Sequence, residues 1–352
     1  MKYPTSRSPG VTFSASGKVN GVGRATLVRN RNLDNGYPPI SKTLLFTSHQ
    51  SLGISFNGTY FFTVNNVGGL SRQTPGSVTS AWSNVTLPAT LFNVTSNHVR
   101  ASGGYIAYCD TSGYVRYSSD NGDTWSQSQL LPSGVTTWQS PLYDLVSNRW
   151  YVWRLASLTV YIAYADTLDG VWTEFGQSAV LPTGCSGMWV RDGYIHIESY
   201  YNQYKWSKLE GNTLSWQNHT NCLNGSGGNM VMGEFKEGIV CLNRNIQNTA
   251  SFSNGNTNVR YSPKYSDSYP HSVPLSPFIV EVKQDTAGQF HLRKGFSGSA
   301  KDLASVVDWG SGNAMNSFSV SYGNGVYVAC HRNENNMYYF NEPTRLARTV
   351  TY

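Results

Sequence analysis

The sequence repeats one pattern at intervals of about 44 residues. Each unit has a strand-like segment, a turn containing Gly or Asn, and a second, strongly apolar segment. The second segments begin, with spacings of 45, 46, 43, 45, 51 and 37 residues, at Tyr60, Tyr105, Tyr151, Tyr194, Ile239, Phe290 and Tyr327. In the sixth unit, residues 279–282 are the expected first segment and residues 290–292 the second. A tryptophan after a later turn gives a second register, spaced by 43, 47 and 44 residues, at Trp82, Trp125, Trp172 and Trp216. Two registers that agree indicate copies of one structural unit.

The composition favours an all-β chain. The 352 residues include 23 Tyr, 10 Trp and 34 Gly with only 13% charged residues, and long runs of helical period are absent. A four-stranded antiparallel sheet with its connections takes about 40–50 residues, which is the period of β-propellers. We therefore predict a β-propeller of about seven four-stranded blades over residues 44–352, or of six if the irregular stretch 245–310 hides a displaced unit. The ring closes either through the C-terminal tail, residues 345–352, or through a strand from the N-terminal arm.

The N-terminal arm, residues 1–43, differs from the repeats in charge. It is irregular and holds seven Lys and Arg against one Asp, whereas the rest of the chain carries 19 basic and 19 acidic side chains. The net charge of +6 therefore belongs to the arm. Such an arm suits docking on an acidic protein surface or a polyanion, and it equally suits a solubilising tail. Its basic residues are dispersed and no nucleic-acid-binding motif accompanies them, so we expect other protein subunits rather than nucleic acid as partners.

One turn in the second unit has a specific pattern, Ser-Ser-Asp-Asn-Gly-Asp-Thr-Trp over residues 118–125. An Asp side chain in such a turn accepts hydrogen bonds from the backbone N–H groups that follow it, and Gly supplies the positive φ of a tight reversal. The segment resembles the Asp-box, or BNR repeat, of sialidase-like β-propellers at its defining positions, Ser118, Asp120, Gly122, Thr124 and Trp125. Residues 165–172 resemble a degraded copy. The resemblance implies a propeller fold and a structural role for the box, because Asp-boxes lie on blade edges and occur in enzymes, lectins and structural proteins alike.

A polar residue stands at or just beyond the end of every apolar second segment. These candidates for a ligand-binding ring are Asn65, Asp110, Arg154, Glu198, Arg244, Arg293 and Arg332. If the segments are equivalent, the side chains surround one mouth of the propeller, where arginines can hold an anionic or polyhydroxyl ligand through bidentate hydrogen bonds. Three interpretations stay open: strand-end charges that satisfy one another, binding of a glycan or a partner, and catalysis with Asp110 or Glu198 as acid/base.

The resemblance transfers no catalytic residue to this chain. Catalytic sialidases need an Arg-Ile-Pro motif, three arginines, a Tyr–Glu nucleophile pair and an Asp acid/base; Arg-Ile-Pro is absent here and no Tyr–Glu pair can be matched by motif. No nucleotide-binding, metalloprotease or hydrolase motif occurs, so we expect no cofactor. The five cysteines include no CxxC pair, and three of them, Cys109, Cys241 and Cys330, lie in apolar runs. We therefore expect small buried side chains rather than a disulfide framework or a metal site.

These features together favour a non-catalytic propeller that its arm docks to a larger assembly. An unprocessed Met1, low charge and a surface rich in Asn, Ser, Thr, Gly and Tyr resemble a virion component of a tailed bacteriophage, such as a tail, collar or capsid-decorating protein. The alternative is a glycoside hydrolase or lectin of sialidase-like fold acting on acidic glycans. The first interpretation predicts a virion location, and the second an extracellular one without an ordinary signal peptide. No stretch approaches the roughly 18 apolar residues of a membrane span, so we expect no membrane partner.

Overall fold

The computed structural model arranges the repeats as a series of antiparallel sheets. It describes residues 11–19, 22–29, 43–47, 51–65, 69–73, 82–91, 100–102, 104–181, 185–199, 204–218, 230–236, 238–243, 249–252, 258–261, 268–271, 273, 275–283, 289–293, 303–308, 318–331 and 336–343. The predicted ring residues Arg244 and Arg332 and the predicted closing tail lie outside the described residues. Within the described ranges, no helix has the length and hydropathy needed to cross a membrane.

Three strands precede the repeats. They are β1 (Val11–Val19), β2 (Val22–Arg29) and β3 (Thr43–Thr47). In the described part of the chain, β1 and β2 form an antiparallel hairpin that is a sheet of its own, whereas β3 joins the last sheet.

The other strands of the described chain form seven sheets of four or five strands, which we call blades 1 to 7. Blade 1 contains β4 (Ser51–Phe56), β5 (Phe61–Asn65), β6 (Leu70–Gln73) and β7 (Trp82–Val85). Blade 2 contains β8 (Arg100–Ser102), β9 (Tyr105–Cys109), β10 (Val115–Ser118) and β11 (Ser126–Gln127). Blade 3 contains β12 (Gln139–Asp144), β13 (Arg149–Ala156), β14 (Thr159–Ala165), β15 (Thr173–Glu174) and β16 (Ala179–Val180), the last of which also pairs with β14. A 3-10 turn, Pro132–Gly134, leads into this blade.

The remaining blades follow the same order. Blade 4 contains β17 (Cys185–Arg191), β18 (Tyr194–Ser199), β19 (Tyr204–Lys208) and β20 (Gln217–Asn218). Blade 5 contains β21 (Met230–Phe235), β22 (Gly238–Asn243), β23 (Thr249–Phe252) and β24 (Asn258–Tyr261). Blade 6 contains β25 (Ser268–His271), β26 (Ile279–Lys283), β27 (Gln289–Arg293) and β28 (Leu303–Asp308). Blade 7 contains β29 (Phe318–Gly323), β30 (Val326–His331), β31 (Asn336–Asn341) and, outermost, β3.

Neighbouring blades meet through their first strands. The first strand of a blade contacts the first and second strands of the preceding one, as β12 does with β8 and β9, and β17 with β12 and β13. In the same way, β4 of blade 1 contacts β29 and β30 of blade 7. The first strands therefore lie innermost and the later strands of each blade lie progressively outward. This is the arrangement of a β-propeller, so the predicted all-β propeller fold is confirmed.

The strand β3 closes the ring. It pairs antiparallel with β31, with Thr43 opposite Tyr339. The amide of Ile54 in β4 donates a 2.9 Å hydrogen bond to Ser319 Oγ in β29, which joins blade 1 to blade 7 a second time. Of the two closures that the sequence left open, the structure shows the one from the N-terminal side, by a strand that begins at the last residue of the predicted arm.

The core lies between the blades, which explains why the second strands carry apolar residues on both faces. Successive residues of a strand point to opposite faces of its sheet. In β13, Trp150 and Val152 pack in the cluster shared with blade 2, whereas Tyr151 and Trp153 pack in the cluster shared with blade 4. Each buried side chain of this size contributes about 1.5–3 kcal/mol relative to exposure. A strand enclosed on both faces therefore shows a continuous apolar run rather than an alternating one.

The sixth unit is shifted by one strand from the prediction. Residues 279–282 were expected to form a first strand and residues 290–292 a second, but the structure has β25 first, so β26 is the second strand and β27 the third. The prediction missed β25 because this strand is short, polar and contains Pro270, which is uncommon within strands. With β26 as the second strand, the uneven spacings of 51 and 37 residues become 40 and 48.

Candidate functional site

The two faces of the propeller carry different turns. We call the face with the turns between second and third strands the upper face. The lower face carries the turns between first and second strands and between third and fourth strands. Of the predicted ring, Asn65, Asp110, Arg154 and Glu198 lie at upper-face ends of second strands, whereas Arg293 ends a third strand and so lies at the lower face. The placement of Arg293 in one ring with the others is therefore wrong.

Asp110 is engaged within blade 2. Its side chain is fully buried, and Oδ1 accepts hydrogen bonds from the amides of Ser112 (2.8 Å) and Tyr114 (3.0 Å). Its Oδ2 forms a 2.6 Å ion pair with Nε of Arg116, whose side chain is 17% exposed. Both carboxylate oxygens thus hold the turn between β9 and β10 and a cation of the same blade.

Arg154 is engaged within blade 3. Its guanidinium carbon lies 3.9 Å from the ring centroid of Tyr161 and 5.2 Å from that of Trp138, and Nη2 lies 3.3 Å from Glu174 Oε2. The buried Nε has no hydrogen-bond partner in the structure. Stacking on two rings, supplemented by one long ion pair, is what holds this cation. The structure therefore places Asp110 and Arg154 in separate pairs, one in each blade.

The upper face also holds a residue that the sequence analysis missed. Lys283 is the last residue of β26 and occupies in blade 6 the position that was assigned to Arg293. The uneven spacings around the sixth unit were the sign in the sequence that a strand had been skipped. Because the second strands lie one layer outside the first, Asn65, Glu198 and Lys283 surround the axis at a distance rather than line it. Their role in binding a ligand stays a prediction.

The turn between β10 and β11 closes on itself through its own side chains. Asp120 Oδ1 accepts from the Thr124 amide at 2.8 Å and Oδ2 from the Thr124 hydroxyl at 2.6 Å. Ser118 Oγ accepts from the Gly122 amide and donates to Asp120 Oδ1, both at 2.7 Å. Gly122 has φ +93°, and Trp125 Nε1 donates to its carbonyl at 3.1 Å. The hydrogen bonds from Thr124 and Ser118 lower the pKa of Asp120 to about 2, which suits a structural acceptor rather than a general acid.

The same turn joins blade 2 to blade 1. Nη1 of Arg72 in β6 donates to the Asn121 carbonyl at 2.7 Å, and its Nη2 forms a 2.8 Å ion pair with Asp123. Asn57 Nδ2 donates to Asn121 Oδ1 at 2.7 Å. The turn is therefore part of the scaffold between two blades of the lower face.

Blades 3 and 4 are joined at the lower face in a similar way. Arg149, at the start of β13, donates to Asn212 Oδ1 at 3.0 Å and forms a 2.8 Å ion pair with Asp166. The buried Asp144 accepts from the Gly193 amide of blade 4 at 3.1 Å. Each of these bonds crosses between blades or between two turns of one blade, so they fix the lower-face turns of blades 3 and 4 relative to one another.

The cysteines with described side chains are packed in the core. Cys109 and Cys330, which were predicted to be buried, are buried, Cys185 is buried too, and none of the three is in a disulfide. Burial raises the pKa of the Cys109 thiol, and the charge of Asp110 acts in the same direction, so this thiol is protonated and unsuited to nucleophilic chemistry. Among the described side chains, no group of three or more His, Cys, Asp or Glu is placed to hold a metal ion.

The fold and these contacts define the chain as a β-propeller. Solved structures similar to it include YCF48 bound to D1 peptide (14% identity, TM-score 0.57, covering 88% of this chain and 98% of that one) and a streptogramin B lyase (12%, 0.57, 87% and 97%). A third is the β-propeller domain of Cps50 (Swd1) from Myceliophteria thermophila (9%, 0.59, 86% and 99%). At these identities the similarity shows the fold alone. No protein-family model matches the sequence, and no curated protein matches it.

Proposed function

We propose that this chain is a non-catalytic β-propeller that serves as a structural or attachment component of a tailed-bacteriophage particle. In this proposal the arm, residues 1–43, docks the propeller on other protein subunits, and the upper face meets glycans of the host surface. Composition and the Asp-box-like turn support the viral part by analogy, and the geometry of the arm supports the docking part.

The observation that carries the proposal is the way in which the arm joins the ring. β3 is the outermost strand of blade 7, so the chain before Thr43 leaves the propeller at its rim. Within the described residues, the β1–β2 hairpin shares no sheet with any blade. A lone two-stranded hairpin is marginally stable in water and gains stability from a partner surface. A basic segment that is anchored at one end and forms its own sheet has the properties of a docking arm.

The arm is tested by deleting residues 1–42, which keeps all of β3 and so keeps the ring closed. The truncated protein should show the circular dichroism and thermal transition of the full chain but should be absent from purified particles. A matched variant, with Lys18, Arg24 and Arg29 changed to Gln, keeps the hairpin and removes its charge. Normal incorporation of the truncated protein into particles would contradict the docking role of the arm. Absence of the full chain from particles of its source, measured by mass spectrometry, would sink the viral role.

The glycan part is tested separately on an array of sialylated and uronic-acid glycans. Glu198→Gln and Lys283→Met alter the upper face, whereas Arg293→Met alters the lower face and is the control. Both upper-face variants should weaken binding at least about tenfold, since a lost hydrogen bond to a charged group is worth about 1.5–3 kcal/mol. Loss of binding in Arg293→Met alone would show that the wrong face was chosen. Release of sugar from the same glycans would favour the glycoside-hydrolase alternative.

A further inference from the structure

The lower face of blade 3 carries three exposed apolar side chains on adjacent turns. Leu145 and Val146, in the turn between β12 and β13, are 84% and 67% exposed, and Val171, in the turn between β14 and β15, is 68% exposed. The ion pair between Arg149 and Asp166 holds the two turns side by side. Large apolar side chains clustered in this way on fixed turns are typical of an interaction surface.

The charges around this patch present carboxylates to the solvent. In three ion pairs of the lower face the arginine is the more buried partner. The exposed fractions of arginine and aspartate are 21% and 64% for Arg72–Asp123, 25% and 77% for Arg149–Asp166, and 17% and 47% for Arg191–Asp192. Asp169, two residues before Val171, is exposed as well. Lys208, paired with Glu210 in blade 4, is an exposed cation of this face, 53% exposed, but carboxylates outnumber exposed cations around the patch. This excess of exposed carboxylates favours a basic partner.

The basic arm leaves the ring at this same face. A third strand such as β31 runs from the upper to the lower face, and β3 is antiparallel to it, so Thr43 lies at the lower face. The arm carries the whole net charge of +6, and the register of its hairpin sets Phe13 opposite Leu27 and Ala15 opposite Ala25. Apolar and basic residues in one hairpin match the chemistry of the acidic, apolar lower face.

We propose that the lower face of blades 2 to 4 binds the arm of a second copy of this chain. The proposal rests on the docking role of the arm and names its partner. In the described chain the hairpin shares no sheet with the blades. The arm joins the ring at blade 7, and blades 1 and 2 lie between blade 7 and blade 3. The 14 residue steps from Arg29 to Thr43 reach at most about 50 Å when fully extended, so the hairpin can extend well beyond its own blade. Because arm and acceptor lie on one face, a mutual exchange sets two lower faces against each other and gives a closed two-fold dimer.

The mass of the full chain in solution, measured by analytical ultracentrifugation over a range of concentrations, tests the dimer. The full chain should dimerise, less so at high salt, and deletion of residues 1–42 should leave a monomer. Leu145→Lys should weaken dimerisation at least tenfold. Leu158→Lys is the matched control, because Leu158 is also an exposed leucine in a turn of blade 3 but lies on the upper face. A monomeric full chain, or equal effects of the two lysines, overturns the proposal.

A charge exchange distinguishes a second copy from docking of the arm on its own ring. One variant carries Arg24→Glu and Arg29→Glu in the arm, and the other carries Asp169→Lys and Val171→Lys on the lower face. Each variant alone should be monomeric, whereas their equimolar mixture should form a heterodimer. In the mixture the altered hairpin, whose net charge over residues 11–29 falls from +3 to −1, meets the added lysines, and the unchanged basic hairpin meets the unchanged face. A mixture that stays monomeric overturns the proposal. If the full chain is monomeric but still needs its arm to enter particles, the proposed function stands and this inference fails.

Discussion

Replacing Asp110 with asparagine tests whether this residue belongs to the scaffold or to a ligand site. The asparagine keeps an acceptor for the amides of Ser112 and Tyr114, which lie 2.8 and 3.0 Å from Oδ1. Arg116 loses the carboxylate that lies 2.6 Å from its Nε, and the arginine side chain is only 17% exposed. Removing one partner of a buried ion pair costs about 3–5 kcal/mol. Because Arg116 also donates to Gln127 and is partly hydrated, we expect a loss of about 2–3 kcal/mol in the free energy of unfolding.

The assay is urea unfolding followed by tryptophan fluorescence. If the dependence of the unfolding free energy on urea concentration is the same for variant and wild type, the difference between their midpoints reports the change in stability. Asp166→Asn is the matched control. Its carboxylate is 77% exposed in the ion pair with Arg149, so its loss should cost less than about 1 kcal/mol. A midpoint for Asp110→Asn equal to that of the wild-type chain would refute the reasoning from burial. It would return Asp110 to the set of residues free to serve a ligand.

Three further tests address the ring closure and the turn between β10 and β11. Leu45 packs against the core cluster between blades 7 and 1, whereas Leu44 is 48% exposed. In thermal unfolding, Leu45→Ala should lower the free energy of unfolding by about 2 kcal/mol and Leu44→Ala by less than about 0.5 kcal/mol. Equal losses would contradict the pairing of β3. The pKa of Asp120 is about 2 in the folded chain against its ordinary value of 3.8, so its hydrogen bonds stabilise the fold above about pH 4 and are lost as the pH falls towards 2. Asp120→Asn should therefore show a smaller drop in Tm than the wild type over this range, and an identical drop would exclude this linkage. Gly122 has φ +93°, and a Cβ added there would lie 2.8 Å from Val85 Cγ1, whereas Gly58 has φ +102° and open space around it. Gly122→Ala should therefore cost about 2 kcal/mol in the free energy of unfolding by urea, and Gly58→Ala about 1 kcal/mol. Equal losses would show that Val85 moves aside.

The period of the sequence predicted the strands where both faces of a strand are enclosed. In β9 and β13 the core lies on both sides, so the apolar run marks the strand without ambiguity. The same criterion failed at β25, because the sequence of this first strand is Ser-Tyr-Pro-His. By apolarity, the strands β26 and β27 are instead the first and second strands of the unit. Assigning strands by apolarity alone thus shifted the sixth unit and moved Arg293 to the wrong face. A requirement for even spacing would have corrected it.

The candidate site was predictable only where its contacts are local. Asp110 bonds to amides two and four residues ahead, and Gly113 between them has φ +84°, so Asp-Thr-Ser-Gly is a local turn pattern that the sequence analysis did not use. Arg154 pairs with Glu174, twenty residues later, and contacts Trp138 in the connection that leads into its blade. These contacts depend on how β12, β13 and β15 lie together. Likewise, the bonds of Arg72 to the turn of the next blade exist only because the blades are adjacent around the ring. Such contacts follow from the tertiary structure and leave no spacing in the sequence.

The division of contacts between the two faces decides which substitutions can separate binding from folding. At the lower face, Arg72, Arg149 and Asp144 each hold a neighbouring turn or blade, so changing them weakens the ring and any docking surface together. Leu145 and Asp169 project from turns that other residues fix, and a change there alters what a partner meets while the scaffold keeps its bonds. A docking surface on turns that hydrogen bonds and ion pairs already hold in place is rigid before a partner binds. The lower face would therefore lose little conformational entropy on binding. In the proposed dimer, any cost of ordering would then fall on the arm. Substitutions in the arm or at the exposed tips of these turns, rather than at the arginines between them, should therefore disrupt the proposed contact without unfolding the propeller.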